Sequence, residues 1–112
     1  LDIVELMDEV YNTAFDIGWH DEDRPFAEII ALGHSEFSES LEDHRNGRGF
    51  DEFYYEVDER GNNKPCGIPS EYADIIIRIL DDCKERGIDI IRALREKKEY
   101  NKTRPHKHGK LY

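Results

Sequence analysis

Residues 67–87 read GIPSEYADIIIRILDDCKERG, and the fold turns on them. At about 100° per residue, Tyr72, Ala73, Ile75, Ile76, Ile77, Ile79, Leu80 and Cys83 cover more than half of a helix's circumference. A helix from near Pro69-Ser70 to about Arg86 is therefore expected to be buried on most sides, with Ser70 able to cap its start and Gly87 ending it. What remains is a narrow polar strip of Glu71, Asp74, Arg78, Asp81 and Asp82.

Upstream, Phe26, Ile30, Gly33, Phe37 and Leu41 share one side of a second long helix, from about Pro25 to Arg45, which Asn46-Gly47 stops. Beside them Ile29, Leu32, Glu36, Glu39 and Asp43, spaced 3, 4, 3 and 4, form a stripe that begins apolar and ends acidic. Two carboxylates three residues apart point the same way on a helix and repel unless a cation sits between them. Hard cations such as Mg²⁺ favour such oxygen-only surroundings. Glu71 and Asp74 repeat the spacing on the polar strip of the buried helix. Either pair alone is common, and acids in a helix's first turn also complement its dipole without any metal. Two pairs on two long helices form the informative combination, because side-by-side packing would bring four carboxylates together.

The rest of the chain frames these helices. Ile3, Leu6, Met7, Val10, Tyr11, Ala14 and Phe15 make the apolar stripe of a first helix over 3–17, followed by Gly18 and a charged loop from Trp19 to Arg24. From Gly47 to Gly67 the helical period is lost; this is a loop, or a short hairpin in which Phe53–Val57 forms a strand folded back at Arg60–Asn63. A fourth helix follows the cap Asp89 and runs to about Thr103, where Arg104-Pro105 forces an extended exit. Its stripe Ile90, Leu94, Lys97, Asn101, Arg104 turns from apolar to cationic and polar. Those ends suit phosphate oxygens, or they are bases snorkelling at a helix C-terminus. The tail from His106 to Tyr112 is short and basic and is expected to be ordered only by contacts; His106-x-His108 is not expected to hold a metal.

At 112 residues the chain is read as one domain, 1–112, with a modest core that oligomerisation would help to complete. Its 38% hydrophobic residues include no run of about 18 apolar positions, and no basic-then-apolar leader opens it, so a soluble, cytoplasmic protein is expected. Because it starts at Leu1 rather than Met, natural residues before it are expected. Cys66 and Cys83 sit in no CxxC pattern and are read as reduced structural thiols. A net charge of −10 argues against nucleic-acid polymers and anionic membranes as partners. The charge is uneven: residues 1–90 carry 24 acids against 8 bases, and residues 91–112 carry 2 acids against 8 bases. No Glu-x-x-His, Walker-type loop or HExxH is present.

The segments HSEFSESLEDHR, GIPSEYADIIIRILDDC and GIDIIRALREKKEYNKTRPHKHGK resemble the MazG-like members of the all-α nucleotide pyrophosphohydrolases, whose signature is an ExxE helix followed, after a variable loop, by an ExxD helix. The resemblance covers nearly the whole chain after Trp19. It implies an all-α, four-helix MazG-like bundle completed by oligomerisation into a dimer or tetramer. Glu36, Glu39, Glu71 and Asp74 would be the catalytic metal ligands for Mg²⁺, with Mn²⁺ able to substitute, and Lys97, Asn101 and Arg104 would face the phosphates. The implied reaction is attack of metal-activated water on the α-phosphorus of an NTP or dNTP, giving a nucleoside monophosphate and pyrophosphate in nucleotide-pool house-cleaning. Many relatives open the first motif with a Glu doublet, whereas Ser35 precedes Glu36 here, so no general base is assigned. Trp19 and Asn12 are the upstream candidates for base recognition, by stacking and by an amide on the base edge, although ordinary core filling is the simpler reading of Trp19. An alternative of another class is a non-catalytic helical oligomer that binds nucleotide or a protein partner through the same groove.

Overall fold

The computed structural model describes residues 2–105; the tail with its His106-x-His108 pair lies outside the described residues. The protein is mainly helical, with helices α1 (Ile3–Asp16), α2 (Phe26–Arg45), α3 (Ile68–Arg86) and α4 (Ile90–Lys102). Between α2 and α3 lies an antiparallel hairpin, β1 (Tyr54–Val57) and β2 (Asn63–Cys66), so the all-α expectation is corrected to mainly helical with a small sheet. Tyr54, Tyr55 and Val57 are good strand formers, and Asp58 closes the turn by accepting from the amides of Arg60 and Asn62, both at 2.9 Å. These amide donors, Asn62's first, hold the Asp58 carboxyl below its ordinary range.

The hairpin docks by one face. Tyr54 pairs with Cys66 and Glu56 with Lys64 across the ladder, so strand parity puts these four side chains on the same side. Tyr54 Oη donates to Asp43 Oδ1 of α2 at 2.9 Å, and the Arg48 guanidinium lies 3.7 Å from its ring centre. The hydroxyl's bond to Asp43 pushes the Tyr54 pKa up to about 12. Cys66 is buried at the end of β2, directly before α3.

The start of α3 departs from expectation. Gly67, not Ser70, occupies its N-cap, with φ +113° and no side-chain cap. A Cβ at Gly67 would stand 2.3 Å from the Glu52 carbonyl oxygen, so only glycine permits the segment before β1 to touch this junction. At the other end Gly87 adopts the left-handed conformation that stops the helix, as the sequence predicts.

Helix α3 is the centre of the packing, with α1 on one flank, α2 on the other and β2 at its start. Ile68, Ile75, Leu80 and Cys83 are its buried apolar residues, joined by Cys66. Both cysteines are free thiols, raised in pKa first by burial. The loop before α2 is tied to α3 through His20, whose Nε2 lies 2.7 Å from Asp81 Oδ1 and whose Nδ1 lies 2.8 Å from Glu85 Oε2.

In the single chain α3 is not buried on most sides. Tyr72, Ile76, Ile77 and Ile79 are exposed, as are Phe26, Ile30, Phe37 and Leu41, the more apolar side of α2. The stripe of α2 that turns inward is the other one: Ile29 and Leu32 are half-buried and Glu36 is buried. Helix α4, capped by Asp89 accepting from the Arg92 amide at 3.0 Å, buries no residue. The radius of gyration is 16.6 Å, against about 13 Å for a compact chain of this length.

Candidate active site

The two acidic motifs meet where α2 and α3 run side by side. Glu36, Glu71 and Asp74 each offer a carboxylate oxygen, and the three atoms lie within 4.8 Å of one another. Glu39 stands outside this triad, but its carboxylate, like that of Glu36, is near enough to Glu71 to raise the Glu71 pKa. All four acids line one cavity of about 430 Å³.

The cost of this gathering is visible in the protonation of the acids. Burial, then the neighbouring Glu36 and Glu39 carboxylates, push the Glu71 pKa up to about 8, so Glu71 keeps its proton near neutral pH. Asp74 is also raised, by burial first and then by Glu36, against the lowering influence of Arg78 and Lys64. The donor set is all oxygen, crowded and anionic, which is the chemistry that Mg²⁺ or Mn²⁺ selects. The residues therefore fit a hard divalent ion.

One cation of the chain is already engaged here. Arg78, one turn after Asp74, donates to Glu36 Oε1 from Nε at 3.3 Å and from Nη2 at 3.1 Å. Both bonds fall on a single oxygen, which leaves Glu36 Oε2 without this partner. The same guanidinium lies 5.5 Å from the centre of the Trp19 ring, while Arg24 covers that ring at 3.6 Å. Arg24 Nε also donates to the Trp19 carbonyl at 3.2 Å, pinning the loop against the indole.

The rest of the lining is mixed: Val10, Ala14 and Ile17 from α1 and the following turn, Ile29 from α2, Ile77 from α3 and Trp19 are joined by Asp81 and Asp82 of α3. Trp19 is placed in this cavity, but Asn12, on the exposed side of α1, does not line it. Nor do Lys97, Asn101 and Arg104 among the described residues, since α4 leads away beyond Gly87. Asn101 Oδ1 is shut off from solvent with no hydrogen-bond partner among the described residues.

Two residues that the sequence did not single out belong to the site. Arg78 was visible only as a member of the polar strip, because its pairing with Glu36 spans two helices. Lys64 lines the cavity from β2; its signal was the alternation of Lys64 and Cys66 before Gly67, a segment that carries no strong strand former. No family model, curated protein or solved structure matches this chain.

Proposed function

We propose that the protein is a Mg²⁺-dependent nucleoside triphosphate pyrophosphohydrolase, cleaving an NTP or dNTP between the α and β phosphates to release pyrophosphate. One observation carries this reading: an ExxE pair and an ExxD pair on neighbouring helices converge on one cavity whose lining also includes apolar side chains and an indole. The MazG-like resemblance of the same segments adds to it.

In this reading Glu36, Glu71 and Asp74 hold the divalent ion, and Glu39 either joins them or holds a second ion. The ion, when bound, supplies charge neutralisation for the phosphates and a water acidic enough to attack at neutral pH. Arg78 holds Glu36 through two bonds to one carboxylate oxygen, which leaves the other oxygen available to an ion. The nucleoside would lie against the apolar side chains of the lining, Trp19 among them. Glu71 gives up its proton as the ion arrives, so binding is expected to weaken below its raised pKa.

The assembly belongs to the same reading. A chain that exposes Phe37, Leu41, Ile76 and Ile79 on α2 and α3 is suited to association with a second copy, as a dimer or tetramer that covers these faces. Lys97, Asn101 and Arg104 of α4 would then approach the phosphates of a neighbouring copy's site, since α4 lies away from its own.

The test is direct. With Mg²⁺, the purified protein should release pyrophosphate from at least one member of a panel of natural and modified nucleoside triphosphates. Glu39→Gln and Asp74→Asn should abolish release with the helical circular dichroism intact. Full activity in both variants would remove the metal-site reading, and binding without turnover across the panel would favour a non-catalytic nucleotide-binding oligomer.

A further inference from the structure

The hairpin between the two acidic motifs delivers a second cation to the cavity. Lys64 sits on β2, two residues before the buried Cys66 and on the same strand face. That face is fixed against the helices by Tyr54, through its bond to Asp43, and by the glycine-only contact between Gly67 and the Glu52 carbonyl. Lys64 is therefore aimed by the fold: a one-residue slip in β2 would turn it to the opposite side.

Its surroundings are unusual for a lysine beside four acids. Among the described residues it makes no ion pair, although it lines the same cavity as the four acids and has Glu56 opposite it on the ladder. Arg78, the other cation lining the cavity, is committed to Glu36 by two hydrogen bonds. The carboxylates that would hold a divalent ion thus face an ammonium on an exposed strand across the same cavity. A triphosphate chain bound to an ion at the acids needs positive charge on its far side, and a lysine offers three rotatable donors for it.

We infer that Lys64 is a substrate-binding residue of the site, contacting the phosphate oxygens that leave as pyrophosphate, so that the hairpin supplies within one chain a phosphate contact. This rests on the pyrophosphohydrolase reading above. It gives the segment between the two motifs a role, which is to carry a cation to the metal-bound phosphates.

The experiment uses the full chain and its Lys64→Met and Lys64→Arg variants, with Mn²⁺ binding followed by electron paramagnetic resonance and pyrophosphate binding to the Mn²⁺-loaded protein followed by calorimetry. Lys64→Met is expected to weaken pyrophosphate about tenfold and to raise KM for the nucleotide by a similar factor, as loss of one charge-assisted contact does. Mn²⁺ affinity should be unchanged and kcat much less affected, and Lys64→Arg should recover most of the pyrophosphate affinity. Unchanged pyrophosphate affinity in Lys64→Met overturns the assignment, as does absence of pyrophosphate binding by the unaltered protein. Joint loss of Mn²⁺ and pyrophosphate binding also overturns it, because Lys64 would then be a prop for the acids. If the unaltered protein hydrolyses no triphosphate yet binds pyrophosphate in a Lys64-dependent way, the hydrolase reading falls and the Lys64 contact stands. Turnover that is indifferent to Lys64 does the reverse.

Discussion

Helices α3 and α4 are built alike: each carries an apolar stripe, each follows a defined N-cap, and they are joined by a short turn at Gly87. Yet α3 packs against α1, α2 and β2, whereas α4 buries none of its side chains. The difference lies in what their stripes meet. The apolar residues of α3 have partners within the chain on two flanks, and its Arg78 pairs with Glu36 of α2. Leu94 of α4 is 48% exposed, against 5% for Leu80 of α3. A stripe declares that a helix has an inside, but not which molecule provides it.

The contrast can be broken most severely at the entrance to α3. Gly67→Ala would drive a Cβ into the Glu52 carbonyl and strain a left-handed backbone; a loss of at least about 3 kcal/mol in chemical denaturation is expected. The next effect sharpens the comparison itself. Leu80→Ala should cost about 3 kcal/mol, a typical loss for a buried leucine, whereas Leu94→Ala should stay within about 0.5 kcal/mol at concentrations where the chain is monomeric. Equal losses would mean that α4 is packed in the isolated chain.

Arg78→Met separates electrostatic from apolar support on α3. It deprives the buried Glu36 of its cation, and a destabilisation of about 2 kcal/mol is expected for such a partly exposed pair. Added Mg²⁺ should restore much of it, which no apolar truncation allows. The smallest effect is with pH, because Glu71 is only half-buried and solvent screens its charge. Glu71 holds its proton to about 8 in the folded chain, against an ordinary value of 4.5. The folded state therefore binds more protons across that window, so its contribution is complete below the lower value and is lost as pH rises through the upper one. The metal-free protein should melt a few degrees lower at pH 9 than at pH 5 from this source, and Mg²⁺ should stabilise it most at the alkaline end. A melting temperature that is flat with pH and insensitive to Mg²⁺ would deny the carboxylates their common site.

Much of this was legible in the sequence because it rests on local periodicity. The four helices, the caps at Asp89 and Gly87, and the pairs Glu36/Glu39 and Glu71/Asp74 follow from spacing and from the residues that start and stop helices. The hairpin was one of two open readings, since Phe53–Val57 announced a strand but Asn-Lys-Pro-Cys did not announce its partner. Arg78 on Glu36, His20 between Asp81 and Glu85, and Gly67 against Glu52 are contacts between distant segments, which no local pattern encodes. The expected burial of α3 overshot because the count of apolar residues includes those that a single chain leaves uncovered.

The chain has one tryptophan, and its indole lies beside the guanidinium groups of Arg24 and Arg78, the second of which grips Glu36. Intrinsic fluorescence is therefore wired to the carboxylates without any label. A divalent ion that competes for Glu36 and loosens Arg78 changes the electric field across the ring, so titrating the ion while watching the emission maximum reads occupancy of the acidic end directly.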